Sequence, residues 1–225
     1  MIWIILSTLI TSLLSLWFGY KRLLHIHDLS IRNVLVSITI GILTYSIMLY
    51  LFKVDLLSEA VSGAIITNVY ASIFGFFSGA ALNQYQIRTK SGKIVYVHRS
   101  FISEYVPVII ALALILFSLY RSGLLTDLAI TPIRVTSGLS FLGIGLWGIT
   151  LRLVPEFREQ GIILLDTCIN WENLINYQWF SEVVLEIEYE LEGSIKHFKT
   201  LIPPEDQPEV ERLLSKKMRE KVEEF

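Results

Sequence analysis

Long apolar runs fill the first two thirds of the chain, and short alternating runs replace them toward the C-terminus. A helix needs about 20 mostly apolar residues to cross the hydrocarbon core of a bilayer, and such runs are rare in soluble proteins. Five of them occur, and none contains Asp, Glu, Lys, Arg or His. The pattern predicts an all-α membrane bundle over residues 1–151, with transmembrane helices at 2–20, 34–52, 61–82, 106–120 and 135–151.

Charge is divided along the chain as unevenly as apolarity. Ten basic and five acidic residues precede Arg152, a net charge of +5, whereas the rest of the chain has nine basic and sixteen acidic residues, a net charge of −7. The positive-inside rule then places the N-terminus outside and, after five crossings, the C-terminus in the cytoplasm. Seven basic residues lie on the predicted cytoplasmic side (Lys21, Arg22, Arg32, Arg88, Lys90, Lys93, Arg99) and three on the other (Lys53, Arg121, Arg134).

The loop between the third and fourth spans has two short extended runs around Ser91 and Gly92, which predict a hairpin over residues 86–98. Its basic residues have three interpretations. They set topology alone, they contact anionic lipid, or they dock against the acidic tail, which faces the same side. The residues concerned are Arg88, Lys90, Lys93 and Arg99.

The pattern of short alternating apolar runs in residues 152–225 predicts a small cytoplasmic α+β domain. About five short antiparallel strands lie between Gly161 and Ile202, and in the clearest of them Leu185, Ile187 and Tyr189 alternate with glutamates. Prolines end the sheet, and Asp206 with Glu209 three residues later predicts the start of an amphipathic C-terminal helix.

The apolar pattern of this tail resembles an uncharacterised bacterial domain family found behind membrane spans, and the bacterial pleckstrin-homology-like (PH-like) folds. The resemblance implies a bent antiparallel sheet closed by a C-terminal helix, and binding or scaffolding in preference to catalysis. It also implies a multi-pass protein of the bacterial inner (plasma) membrane or of the thylakoid membrane. The residues that carry it are Gly161, Ile162, Leu164, Ile169, Trp171, Ile175, Tyr177, Trp179, Ile202, Pro203, Pro204 and the helix at 210–214.

Two tryptophans of the tail, Trp171 and Trp179, are candidates for a lipid or peptide groove. Large aromatic side chains also dominate small protein cores, so core packing is the favoured interpretation.

The third span has a face of small residues, Ala71, Gly75 and Gly79, spaced by four. Such a face lets another helix approach closely. Packing within the bundle is favoured over a dimer interface, and the glycines of the fifth span, from Gly138 to Gly148, are a possible mate.

Candidate chemistry is sparse. A single cysteine, Cys168, excludes an internal disulfide and a thiolate zinc cluster. His25, His27 and His98 lie in predicted cytoplasmic loops and are weak candidates for haem or metal ligands, although histidines without a ligand are favoured and no cofactor is expected. The chain has no phosphate loop, nucleophile elbow or metalloprotease motif, so we expect no enzyme.

These observations favour a non-catalytic membrane protein whose PH-like domain binds a partner or assists the assembly or regulation of a membrane complex. Its expected partners are the lipid bilayer and a protein or a second copy of the chain, and no nucleic acid. The first alternative is a small-solute transporter or channel with a polar cavity near Thr67 and Asn68, although no span holds an ionisable residue. The second is haem or metal handling at the cytoplasmic face.

Overall fold

The chain folds into two compact units, which are described separately. The computed structural model describes residues 2–22, 30–98, 100–127, 129–191 and 193–223. The helical unit consists of Met1–Gln84 and Pro107–Leu151, and the sheet unit consists of Tyr85–Val106 and Arg152–Phe225.

The described residues contain five helices that are long and apolar enough to cross a membrane. The prediction of five long apolar helices is therefore confirmed. Most of them extend a few residues beyond the predicted runs. The third continues eight residues past its predicted end. The helices are α1 (Ile2–Tyr20), α2 (Ile31–Lys53), α3 (Glu59–Lys90), α4 (Phe101–Ser122) and α5 (Pro132–Thr150).

Two helix starts follow from local side-chain chemistry. The Ser30 hydroxyl accepts a hydrogen bond from the backbone N–H of Asn33 at the start of α2. The Thr131 hydroxyl does the same for Arg134 in α5, with Pro132 at the first helical position. Each cap accepts a hydrogen bond from a backbone N–H of the first turn, which has no acceptor within the helix. Proline is well tolerated at the first helical position, because an N–H there would have no helical acceptor either.

The small-residue face of α3 packs against α1 inside the helical unit. A Cβ added at Gly75 would overlap the carbonyl oxygen of Ser12, and one added at Gly79 would overlap that of Leu16. A Cβ added at Gly19 on α1 would in turn overlap the carbonyl oxygen of Phe76. The face therefore mediates packing within the chain, because only glycine allows two helical backbones to approach this closely.

The helix that packs on this small-residue face is α1. The prediction that the α5 glycines pack on it is wrong. Gly138 and Gly145 lie against the α4 backbone, at Ser118 and Ala111. Gly143 meets α3 at Phe74, away from the Gly75 and Gly79 face. The glycines of α5 thus serve a second close crossing, chiefly with α4.

A seam of polar side chains joins α1 to α3 beside these glycines. Asn68 on α3 donates to the hydroxyl of Ser7 (3.2 Å) and accepts from that of Thr11 (3.1 Å). One turn further along, the hydroxyls of Ser15 and Ser72 lie 2.8 Å apart. Hydrogen bonds between apolar helices of this kind add to close packing.

Substituting Asn68→Leu is expected to weaken the association of α1 with α3 by about 1 kcal/mol, because two interhelical hydrogen bonds are lost while the volume is kept. A thermal melt of the full chain in detergent, followed by helix circular dichroism, measures the effect. Thr39→Val is the control, since among the described residues that hydroxyl bonds within its own helix, to the carbonyl of Leu35. Equal melting temperatures for Asn68→Leu and the wild type would show that the seam contributes nothing.

The sheet unit contains seven strands and a C-terminal helix in the described residues. The first four strands form one antiparallel sheet in the order β1-β2-β3-β4, and the last three form a second in the order β5-β6-β7. A 3-10 turn at Trp171–Asn173 connects them. The elements are β1 (Ile94–Val97), β2 (Glu156–Arg158), β3 (Gly161–Leu164), β4 (Thr167–Asn170), β5 (Leu174–Ser181), β6 (Val184–Leu191), β7 (Ser194–Leu201) and α6 (Gln207–Glu223).

The predicted hairpin at residues 86–98 is wrong. Residues up to Lys90 continue α3, and the backbone N–H of Ser91 still donates to the carbonyl of Ile87 at 2.9 Å. Extending an existing helix needs no new nucleus, so continuity outweighs the β-branched residues of this segment. Gly92, with φ of +80°, then turns the chain into β1. That strand pairs with β2 and not with the segment before it.

The core of the sheet unit lies between the two sheets and α6. The apolar positions of β6 alternate as predicted, with Leu185 and Ile187 fully buried. Val210 and Leu214 of α6 pack into the same core. β1 contributes Tyr96, whose ring packs edge-on against Phe157 of β2 at a centroid distance of 5.6 Å. The domain predicted to begin at residue 152 therefore also includes β1, which ends 55 positions before that residue, at Val97.

Candidate functional site

A buried carboxylate, Glu156 of β2, lies at the centre of a cluster of arginines in the sheet unit. Its side chain is 4% exposed. Arg158 forms the closest contact, with Nη2 at 2.8 Å and Nε at 2.9 Å from Oε2 of Glu156. The Nε atom of Arg88 lies at 3.5 Å, and that of Arg152 lies at 3.9 Å from the other carboxylate oxygen. One buried negative charge thus faces three positive ones.

The same arginines fasten the end of α3 and the turn after it to the sheet. Nη1 of Arg158 donates to the carbonyls of Arg88 (2.8 Å) and Gly92 (2.7 Å). Nη2 of Arg88 donates to the carbonyl of Leu165 after β3. A cationic side chain bonded to the last carbonyls of a helix is favoured by the helix dipole as well as by the hydrogen bonds.

A second fastening joins β1 to the start of α6. The Tyr96 hydroxyl donates to Oδ2 of Asp206 at 2.9 Å. Burial, followed by this hydrogen bond, raises the pKa of Tyr96. The predicted helix start at Asp206 agrees with α6 beginning at Gln207, but the Asp206 carboxylate is bonded to β1.

Glu211 of α6 accepts two aromatic donors from β5. The Tyr177 hydroxyl lies 2.9 Å from Oε1, and the Trp179 indole N–H lies 2.8 Å from Oε2. Burial, followed by the hydrogen bond to Glu211, raises the pKa of Tyr177 to about 12. The arrangement holds α6 on the second sheet and uses both carboxylate oxygens.

The raised pKa of Tyr177 predicts a loss of stability in alkali. Above about pH 10 the unfolded chain releases the tyrosine proton while the folded chain keeps it, so the free energy of unfolding falls as pH rises toward 12. In Tyr177→Phe the fall in melting temperature between pH 9.5 and 11.5 should be less steep. Tyr85→Phe, at an exposed ring, is the control and should keep the wild-type slope. Parallel slopes for Tyr177→Phe and the wild type would contradict the assignment.

The structure separates the residues that the sequence grouped as candidates for partner or lipid binding. Trp171 lies in the core, 9% exposed, and its indole N–H donates to the carbonyls of Arg158 and Glu159 at 3.0 Å. Trp179 is half-buried against α6. Arg88 belongs to the Glu156 cluster and is not an exposed surface cation.

The remaining basic candidates do not complete a common surface in the described chain. Lys90 and Lys93 are exposed around the turn before β1, whereas Arg99 lies outside the described residues. Lys93 and Trp171 share a neighbour, since Glu159 bonds to the backbone of Lys93 and its carbonyl accepts the indole N–H of Trp171, but the Trp171 ring is buried while Lys93 is exposed. The predicted lipid or partner patch therefore remains a prediction for Lys90 and Lys93.

The histidine candidates are only partly described. His98 is half-buried and lines one groove together with Glu104, Arg152 and Glu156, and a second groove together with Tyr96 and Asp206. His25 and His27 lie outside the described residues. Within the part of the chain that is described, no group of three His, Cys, Asp or Glu side chains is placed to hold a metal ion.

The polar residues that the transport alternative requires have structural partners. Thr67 is 2% exposed, and its hydroxyl donates to the carbonyl of Gly63. The amide of Asn68 donates to the carbonyl of Ala64 at 2.8 Å in addition to its bonds with α1. An open groove of about 680 Å³ borders Asn68, but most of the residues that line it are apolar. These contacts assign Asn68 to helix packing.

The surface of the sheet unit has an open acidic groove between β1 and the start of α6. The groove measures about 490 Å³. Residues 94–98 form one side. Pro203, Glu205, Asp206 and Glu209 form the other. Glu205 and Glu209 are exposed, as are Ile94 and Val95 at 45% and 44%. We name this feature the β1–α6 groove.

Sequence reasoning missed the residues that build this region, namely Glu156, Arg158, Tyr96 and Glu211. One signal was available, since Glu156, Phe157 and Arg158 place two opposite charges around an aromatic residue shortly after a span. Their partners lie far away in the sequence, for example 110 positions between Tyr96 and Asp206. No periodicity within one segment reveals such pairs.

Part of the sheet unit is similar to a known protein family. Residues 153–219 match a family model described as a domain of unknown function, DUF5673, which agrees with the predicted uncharacterised domain family. No curated protein and no solved structure matches the chain. The matched segment covers β2 to most of α6 and omits β1, which the structure places in the same sheet as β2.

Proposed function

We propose that this chain is a non-catalytic, multi-pass membrane protein whose sheet unit faces the cytoplasm and binds a protein partner, assisting the assembly or regulation of a membrane complex. The membrane in question is the bacterial inner (plasma) membrane or the thylakoid membrane.

One observation carries the proposal. The sheet unit is interrupted by two long apolar helices, because β1 precedes α4 and β2 follows α5. The chain therefore connects the unit to candidate spans at three points: the end of α3, the start of α4 and the end of α5. A domain with three such connections stays at the bilayer surface once the helices are inserted, which suits a domain that presents a binding surface there.

The fold of the unit supports a PH-like assignment. PH-like folds close a bent antiparallel sheet with a C-terminal helix, and here sheets of four and three strands enclose a core together with α6. The charged groups support binding in preference to catalysis, since Glu156, Asp206 and Glu211 are each engaged in contacts that hold elements together.

Orientation is tested with a single cysteine. In the Cys168→Ala background, Glu223→Cys should resist a membrane-impermeant maleimide in intact cells and react after permeabilisation. Ile2→Cys, near the opposite end, should react in intact cells that carry the chain in their plasma membrane. The reverse pattern would place the sheet unit outside and overturn the proposal.

Partner binding is tested by site-specific photocrosslinking of the full chain in its native cells. A photoreactive side chain is placed at Ile195 or Phe180, which are 60% and 63% exposed on the sheet unit, or at Val95 in the β1–α6 groove. At least one of these three positions should capture a discrete protein. Ile47 on α2 is the control and should capture no such protein, because its apolar helix is expected to face lipid. Capture at no position of the sheet unit would contradict the proposal.

A further inference from the structure

We propose that the β1–α6 groove binds an extended peptide segment rich in lysine and arginine, which pairs with β1 as an additional strand and directs its basic side chains to Glu205 and Glu209. The inference rests on the proposed function, since it specifies the chemistry of the partner that the sheet unit would bind.

The backbone of β1 is the first reason. β1 is the edge strand of the four-stranded sheet, and β2 is its neighbour on one side only. An edge strand presents unpaired N–H and C=O groups, which proteins protect by keeping the strand short, by a β-bulge, by proline or charged residues, or by a covering element. β1 has only four residues and its register with β2 shifts between Ile94 and Tyr96, but its sequence, Ile-Val-Tyr-Val, includes neither proline nor charge. Ile94 and Val95 are also nearly half exposed.

The charge of the opposite side is the second reason. Glu205 and Glu209 are exposed at the start of α6, and no ion pair engages either of them within the described residues. Asp206, between them, is held by the Tyr96 hydroxyl. Two carboxylates facing an open strand edge favour basic side chains and disfavour anionic lipid headgroups. The apolar Pro203 and Ile94 suit the aliphatic stems of lysine and arginine.

The position of the groove in the chain is the third reason. β1 ends at Val97 and α4 begins at Phe101, so the groove is closely connected to a candidate span. Segments that flank spans on the cytoplasmic side are enriched in lysine and arginine. The occupant is therefore the basic cytoplasmic flank of another membrane protein. Pairing of main chains supplies affinity in this mode, and side-chain pockets supply specificity.

A fluorescent ten-residue peptide of alternating lysine and valine, added to the full chain in uncharged phosphatidylcholine nanodiscs, tests the inference. Glu205→Lys with Glu209→Lys should weaken binding at least about tenfold, because two attractive pairs become repulsive. The matched control, Glu172→Lys with Glu190→Lys, makes the same change in net charge at exposed positions outside the groove and should change binding less than about twofold.

Hydrogen exchange separates strand pairing from general charge attraction. Bound peptide should slow the exchange of backbone amides at residues 94–98, since edge N–H groups gain acceptors. Equal weakening by the two charge-reversed pairs, unchanged exchange at β1, or binding only in nanodiscs of anionic lipid would each overturn the inference. If the peptide fails while photocrosslinking at Ile195 or Phe180 captures a partner, the inference falls and the proposed function stands. If crosslinking fails at every position of the sheet unit while the peptide binds, the proposed function falls.

Discussion

Replacing Gly75 and Gly79 together by alanine is expected to destabilise the helical unit by about 3 kcal/mol or more. Each new methyl group would overlap a carbonyl oxygen of α1, at Ser12 and Leu16 respectively, and backbone atoms cannot move aside as a flexible side chain can. The helices must separate, which also lengthens the hydrogen bonds of the seam at Asn68. The measurement is the loss of helix circular dichroism with temperature or denaturant, for the full chain in detergent.

Gly41 in α2 provides the matched control. A Cβ added there meets no atom within 4 Å among the described residues, so Gly41→Ala should be neutral or slightly stabilising, as alanine favours a helix over glycine. The control makes one glycine-to-alanine change and the α3 variant makes two, so both variants test the same type of substitution. Similar melting temperatures for the two variants would show that α1 and α3 are not in close contact.

Replacing Glu156 by glutamine is expected to destabilise the sheet unit by about 3–5 kcal/mol, because it leaves buried arginine side chains without their counter-charge. Glutamine keeps the size of the side chain, so the effect reports charge and not a cavity. Arg88, Arg152 and Arg158 would then repel one another around a neutral amide. Denaturant unfolding followed by tryptophan fluorescence measures the change, since Trp171 packs beside Arg158.

Glu220 provides the control for this substitution. It forms ion pairs with Lys216 and Lys217 along α6, and 43% of its own side chain is exposed to solvent. Solvent screens pairs of this kind, so Glu220→Gln should leave the unfolding midpoint unchanged within error. If Glu156→Gln proved equally silent, the buried cluster would not be what holds the end of α3 to the sheet.

The parts of the fold that were predictable from sequence are those with a strong local signal. Five apolar runs of suitable length gave the helices, and the alternation of β6 gave its buried face. The hairpin at residues 86–98 failed because the first of its two predicted extended runs continues the preceding helix to Lys90, and only the second run forms a strand. The strand propensity of single residues is a weak predictor next to an existing helix, because each residue added to that helix gains a hydrogen bond without a new nucleation step.

β1 and β2 were not predictable as partners, for a different reason. β2 has three residues, two of them charged, and all three are buried. From sequence alone, a charged residue suggests an exposed loop unless the partner that allows its burial is known. For Glu156 one such partner is Arg88, which precedes it in the chain by two long helices, α4 and α5. The β1–α6 groove combines residues from the same two distant segments, so it was not predictable either.

Tyr85–Val106 and Arg152–Phe225 form one folded unit that most of α4 and all of α5 interrupt. Disulfide trapping across the turns that flank β1 and β2 tests it most directly. The backbone N–H of Glu159 donates to the carbonyl of Lys93 at 3.1 Å, and Cys168→Ala removes the single native thiol. A protease site inserted after Leu125 then allows the chain to be cut between α4 and α5.

After oxidation and cleavage, Lys93→Cys with Glu159→Cys should give two fragments that remain joined in a denaturing gel until a reductant is added. Lys93→Cys with Glu172→Cys should give fragments that separate without it. Separation of the first pair before reduction, or equal trapping of both pairs, would contradict a domain shared between the two segments.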